Sequence, residues 1–142
     1  MSSTYISAKL RKLVKSRGQG RCEYCLTPER LSQDAFHIDH IICEKQGGST
    51  TSENLCLSCQ LCNLYKGDSI VAYFIKDSSL ERLFDPRNSN WSDHFELLNT
   101  GQIFPLTKIA EGTIMVLKLN EEERVMERQF GVRLGLYTPP PT

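Results

Sequence analysis

Two Cys-x-x-Cys pairs, Cys22-Glu-Tyr-Cys25 and Cys59-Gln-Leu-Cys62, stand 33 residues apart in a chain of 142. A turn of this kind lets two thiolates grip one face of a tetrahedral ion, and a second such turn completes the site. Four protein thiolates leave no coordination position open, so the expected zinc ion holds the fold and does not catalyse. Cys56, three residues before Cys59, makes Cys56/Cys59 a rival second knuckle. Cys59/Cys62 is preferred because it sets Asn63 beside the knuckle, where the motif described below needs it. Cys43 and Cys56 then read as free thiols filling small core positions.

Six cysteines also raise the question of a disulfide framework. Met1 to Tyr5 lacks the charged start and apolar stretch of a secretory signal, and the cysteines cluster in pairs, so metal binding is the better reading. No stretch approaches the 18 apolar residues of a membrane span, and the expectation is a cytoplasmic protein with no membrane partner.

Between the knuckles lie Phe36-His-Ile-Asp-His-Ile41, Gly47-Gly48 and Asn54-Leu55; Cys62-Asn63 and Lys66 follow. These residue types suit metal-assisted hydrolysis of a phosphodiester. An adjacent Asp39-His40 pair offers a hard carboxylate ligand and a general base near neutrality. An amide on a following helix, Asn63, can complete an oxygen site that stays open to phosphate and water.

The ordered set from Cys22 to Lys66 resembles an HNH endonuclease of the ββα-metal (His-Me finger) type, in the subclass whose motif is framed by four zinc cysteines. It covers 45 residues, about a third of the chain. The resemblance implies that His40 is the general base and that Asn54 is the middle Asn of the catalytic motif, bracing the loop so that the imidazole faces the scissile phosphate. Asn63 stands at the third motif letter, which makes this an H-N-N variant. Asp39 and Asn63 match the pair that binds magnesium or manganese in Asn-type members, and an amide oxygen suits such a cation better than imidazole does. The implied products are 3′-hydroxyl and 5′-phosphate ends. Cys43 replaces a Pro common in relatives. Lys66 and His37 are candidate phosphate contacts, with a structural or surface role for His37 equally open; His94 is read as structural. A looser likeness to small stand-alone HNH proteins of bacteria, cyanobacteria especially, rests on Leu83-Phe-Asp-Pro-Arg87, Trp91, His94-Phe95 and Gly135 to Pro139.

Charge bears on the partner. The net charge is zero, but residues 1–30 hold seven bases (Lys9, Arg11, Lys12, Lys15, Arg17, Arg21, Arg30) against Glu23 and Glu29. Such a patch suits phosphates, and a solvated helix face would look the same. The partner expected is nucleic acid, DNA first, and a homodimer is compatible with so small a chain. A non-catalytic zinc-stabilised binding module on the same scaffold is the alternative function.

The expected fold is α+β: residues 1–67 as the ββα-metal core with an N-terminal helix, and 68–142 as a C-terminal α/β extension packed on it. Apolar spacing predicts a helix over Ile6–Arg17 capped by Ser7, a strand over Ala35–Ile42, and a helix over Leu55–Lys66 stopped by Gly67. Ser69–Ile75 is strand or helix. His94–Leu106 reads as a hairpin around Asn99-Thr-Gly101, Gly112–Arg133 as two helices broken near Asn120, and Pro139–Pro141 as a frayed tail.

Overall fold

Residues 4–137 are described in a computed structural model of the chain. The first element is helix α1, Ala8–Gly18, and the Ser7 side chain caps it by accepting from the Leu10 amide. Val14 is its fully buried apolar side chain, while Lys9, Arg11, Lys12 and Lys15 face out. Gln19, at φ 54°, closes the helix, and Gly18 packs where an added Cβ would lie 2.7 Å from Leu57 Cδ2.

The core follows as strand β1 (His37–His40), strand β2 (Leu55–Ser58) and helix α2 (Gln60–Lys66). β1 and β2 pair antiparallel, with Asp39 opposite Cys56 and His40 opposite Leu55. The single helix expected over Leu55–Lys66 is corrected here: its first four residues are strand, and all four are buried. α1 lies against β2 and α2 against β1, which covers residues of both parities and removes the alternation that marks a strand. Cys59 ends the strand and caps α2, its sulfur accepting from the Cys62 amide at 3.4 Å.

The C-terminal part contains two more hairpins. β3 (Val71–Phe74) pairs with β4 (Ser79–Arg82), which settles the open reading of Ser69–Ile75 as strand. A short helix α3 (Trp91–His94) leads into β5 (Phe95–Leu97), paired with β6 (Ile103–Pro105) across the expected turn. Helices α4 (Lys108–Leu117) and α5 (Glu122–Arg133) follow, the break between them made by Lys118 at φ 52°. Thr107 caps α4 by accepting from the Ala110 amide. Glu122 and Glu123 in the first turn of α5 sit favourably at its positive end.

The architecture is α+β, and α4 packs on α2, β3, β4 and β6. Buried side chains from both parts, among them Tyr24, Leu57, Phe84, Phe95 and Leu117, form one apolar cluster. No helix among the described residues is long and apolar enough to cross a membrane. The tail at Pro139–Pro141 lies outside the described residues.

Candidate active site and metal centre

The knuckles meet as the spacing predicts. Cys22 to Thr27 forms a closed turn, with Cys22 N–H donating to the Thr27 carbonyl and Leu26 N–H to that of Cys22. Cys59 and Cys62 come from the start of α2, and the sulfurs of Cys22, Cys25, Cys59 and Cys62 lie within 4.8 Å of one another, all buried. Thiolates about 2.3 Å from a tetrahedral zinc stand roughly 3.8 Å apart; Cys25 Sγ and Cys59 Sγ are 3.7 Å apart. The residues fit zinc. Cys56, the rival ligand, points elsewhere and is not part of this cluster.

Two polar groups flank the sulfurs. The Thr27 hydroxyl is 3.1 Å from Cys25 Sγ. Arg124 of α5 donates from Nη2 to Cys62 Sγ at 3.1 Å and from Nη1 to the Leu117 carbonyl at 2.7 Å. Burial alone would lower the Arg124 pKa, but the negative sulfurs of Cys62 and Cys25 more than reverse that and hold the guanidinium charged. No sequence signal linked Arg124 to the cysteines, which lie more than sixty positions away.

The first knuckle also reaches the candidate catalytic carboxylate. Tyr24, between the two cysteines and fully buried, donates its hydroxyl to Asp39 Oδ2 at 2.9 Å. Its carbonyl accepts from Trp91 Nε1 at 2.9 Å. Lys66 Nζ lies 3.2 Å from the same Oδ2 and donates to the His40 carbonyl at 2.9 Å. Burial raises the Asp39 pKa from its ordinary value, with Lys66 and Tyr24 opposing the rise. Asp39 Oδ1 takes no hydrogen bond among the described residues, so one carboxylate oxygen is anchored and the other is spare.

Lys66 corrects an expectation. Rather than standing at a phosphate, it is 2% exposed and its ammonium is consumed inside the core. The reason is local: α2 is seven residues long and ends at Gly67, so its last-turn side chain turns back beneath β1. Arg17 and Arg21 likewise leave the basic patch. Arg17 donates to the Ser52 and Leu55 carbonyls, and Arg21 is 5% exposed.

Asn54 ties the intervening loop down with three bonds. Its Oδ1 accepts from the Ile42 amide at 2.9 Å, and its Nδ2 donates to the carbonyls of Ile42 at 2.9 Å and Ser49 at 2.8 Å. Gly48 makes that closeness feasible, since an added Cβ would sit 1.7 Å from the Ile42 carbonyl oxygen. Gly47, at φ 90°, turns the chain into it.

An open cleft of about 580 Å³ runs along β1 and α2. His37, Asp39 and His40 line it from the strand, Asn63 from the helix, and Arg11 and Lys45 from its rim. His40 is 8% exposed, with Nε2 2.9 Å from the Thr50 hydroxyl; His37 is exposed. Asn54 does not line the cleft; its bonds to Ile42 and Ser49 hold the loop that follows β1. His94 bonds Thr107 through Nδ1 at 2.7 Å and packs edge-on against Phe84, and it does not line the cleft.

Comparison with known proteins bears on this same stretch. One relative is a CRISPR-associated endonuclease Cas9 of Corynebacterium diphtheriae, 37% identical over 62 residues. That segment is 43% of this chain and 6% of the relative, so this chain spans a small part of that protein's length. No solved structure matches the chain at the same level of significance. The model of the HNH endonuclease family matches residues 22–69, which runs from the first knuckle cysteine past the end of α2. The chain therefore carries an HNH endonuclease domain at residues 22–69.

Proposed function

We propose that this protein is a metal-dependent endonuclease that hydrolyses phosphodiester bonds in nucleic acid, DNA first, to 3′-hydroxyl and 5′-phosphate ends. The observation that carries the reading is one cleft lined together by His40, Asp39 and Asn63, with the loop beside His40 tied down by Asn54.

Asp39 and Asn63 would hold Mg2+ or Mn2+. A carboxylate oxygen without a hydrogen bond and an amide oxygen are hard donors of the kind such ions prefer, and two protein ligands leave room for phosphate and water. When bound, the ion supplies charge neutralisation at the phosphate and the departing oxygen. The chain's own residues do the rest. His40, neutral, takes a proton from the attacking water. Tyr24 and Lys66 hold Asp39 at one oxygen so that the other keeps its direction. His37, Arg11 and Lys45 stand where phosphates would lie, and contacts of that kind position a substrate without reading its sequence.

The test is nicking of supercoiled plasmid with Mg2+, with Mn2+ and with EDTA, beside linear, branched and single-stranded DNA and RNA. His40→Ala is expected to lose at least about 100-fold in rate while zinc content and circular dichroism stay at parent values. Cys59→Ser is expected to lose zinc and the fold together. Cleavage by His40→Ala at the parent rate would remove His40 from its role. A parent protein that leaves every substrate intact would point instead to a binding module.

A further inference from the structure

A second cavity shares no lining residue with the cleft. It holds about 90 Å³ between the C-terminal end of α1 and the segment that leads into α3, room for a small ion and not for a nucleotide. Arg17, Arg21, Glu23, Ser89 and Asn90 supply its polar side chains. Glu23, the acid among them, is already spent. Its Oε1 pairs with Arg87 Nη2, and its Oε2 accepts from the Leu57 amide at 2.7 Å.

Positive charge gathers around this cavity. Burial first, and the neighbouring Arg17 charge second, push the Arg87 pKa down to about 10, and burial lowers that of Arg21. The Nε atoms of Arg17 and Arg87 are buried without a hydrogen-bond partner, which is costly for a charged donor. Other acids stand aside. Asp85 aims its two oxygens at the Arg87 amide and the Asn88 side chain, and Glu53, which feels Arg17, is exposed to water. The negative end of α1 accounts for a basic residue such as Arg17. It does not account for Arg87, which arrives from a separate loop.

We propose that this cavity is a binding site for one phosphate group. Arg17 and Arg21 supply the charge, while Ser89 and Asn90 add a hydroxyl and an amide that can donate. Arg87 is a positioning residue: by holding Glu23, it keeps that carboxylate from opposing the anion. Arginine suits the task, because its planar fork matches the oxygens of a phosphate and keeps its charge when buried. A free phosphate ion and the terminal phosphate of a nucleic acid present the same oxygens to these donors.

The test uses the full zinc-loaded chain with no other metal added. Calorimetric titration with inorganic phosphate at fixed ionic strength is expected to show one saturable site per chain, while chloride in its place shows none. Arg21→Met should weaken binding at least about tenfold, the loss expected for a hydrogen bond to a charged group. Ser89→Asp, which sets a carboxylate at the cavity and leaves every buried arginine in place, should do the same. Arg87→Gln should also weaken binding, and adding Glu23→Gln to it should recover most of the loss, which a merely structural role for Arg87 would not produce. Arg11→Gln, at the rim of the cleft, should leave phosphate binding unchanged. A short oligonucleotide with a 5′-phosphate, set against the same one without it, separates the two sources. A gain from the phosphate that Ser89→Asp removes assigns the site to a nucleic-acid end, and no such gain assigns it to the free ion. Absence of saturable phosphate binding in the parent would overturn the proposal, as would binding that Arg21→Met and Ser89→Asp both leave at parent strength.

Discussion

Arg124 is the residue whose chemistry reaches furthest from its place in the sequence. A zinc ion held by four thiolates is a net anion, and the guanidinium donates to Cys62 Sγ while its other nitrogen satisfies the end of α4. Groups that donate to metal ligands typically affect metal affinity 10- to 100-fold when removed. Arg124→Gln is therefore expected to release zinc to a chromogenic chelator roughly 10- to 100-fold faster, while the folded protein keeps its helical signal before release. A release rate equal to the parent's would make the contact incidental. Tyr24 has a comparable reach and was equally hidden. The four clustered cysteines were legible because fixed short spacings name them, whereas Asp39, His40, Asn54 and Asn63 were singled out by the family resemblance of the ordered motif. Tyr24 and Arg124 act through contacts that close only in the folded chain, so no spacing announces them. Lys66 was misplaced for a related cause: a motif gives a residue's position along the chain, not the side of the strand its ammonium reaches.

At the scale of elements, the glycine pair in the loop between β1 and β2 is a test of how tightly the site is built. Gly48→Ala would drive a methyl group into the Ile42 carbonyl and against Asn54 Nδ2, so the loop must move. Cleavage is expected to fall by at least about tenfold, as small displacements of a reacting group can cost up to 100-fold, while zinc binding stays intact because the knuckles lie outside this loop. Parent-level nicking by Gly48→Ala would mean the loop geometry is unimportant. The elements themselves were unevenly legible. Helix α1 announced itself by its cap and apolar spacing, and the β5–β6 hairpin by its turn residues. β2 did not, since Leu55 to Ser58 is buried throughout and a short apolar run carries no period. β4 has exposed and half-buried residues in alternation, but only four of them, too few to stand out without their partner strand.

For the whole molecule the question is whether the HNH segment stands without the rest. Trp91 anchors the Tyr24 carbonyl, α4 packs on α2, and Arg124 touches the zinc thiolates, so the C-terminal half supplies part of the interior of the core. Residues 1–67 expressed alone are expected to be unfolded or molten by near-UV circular dichroism even with zinc supplied, whereas the full chain is not. A native spectrum from the fragment would show that the extension is dispensable for folding. Zero net charge conceals the clustering of bases near the start of the chain. The structure narrows the basic helix to Lys9, Arg11, Lys12 and Lys15, because Arg17 and Arg21 turn inward.

One consequence follows from the position of Tyr24, whose neighbours in the chain grip one ion while its hydroxyl rests on a ligand proposed for another. Occupancies joined through a shared rigid turn are thermodynamically reciprocal. Saturating Mn2+ is accordingly expected to slow zinc loss to a thiol-reactive probe in the parent, and Tyr24→Phe should weaken that protection. Under the proposed function, the chain would sense the integrity of its scaffold at the very carboxylate assigned to the second ion, and a molecule stripped of its structural ion would fall silent before it could cut indiscriminately.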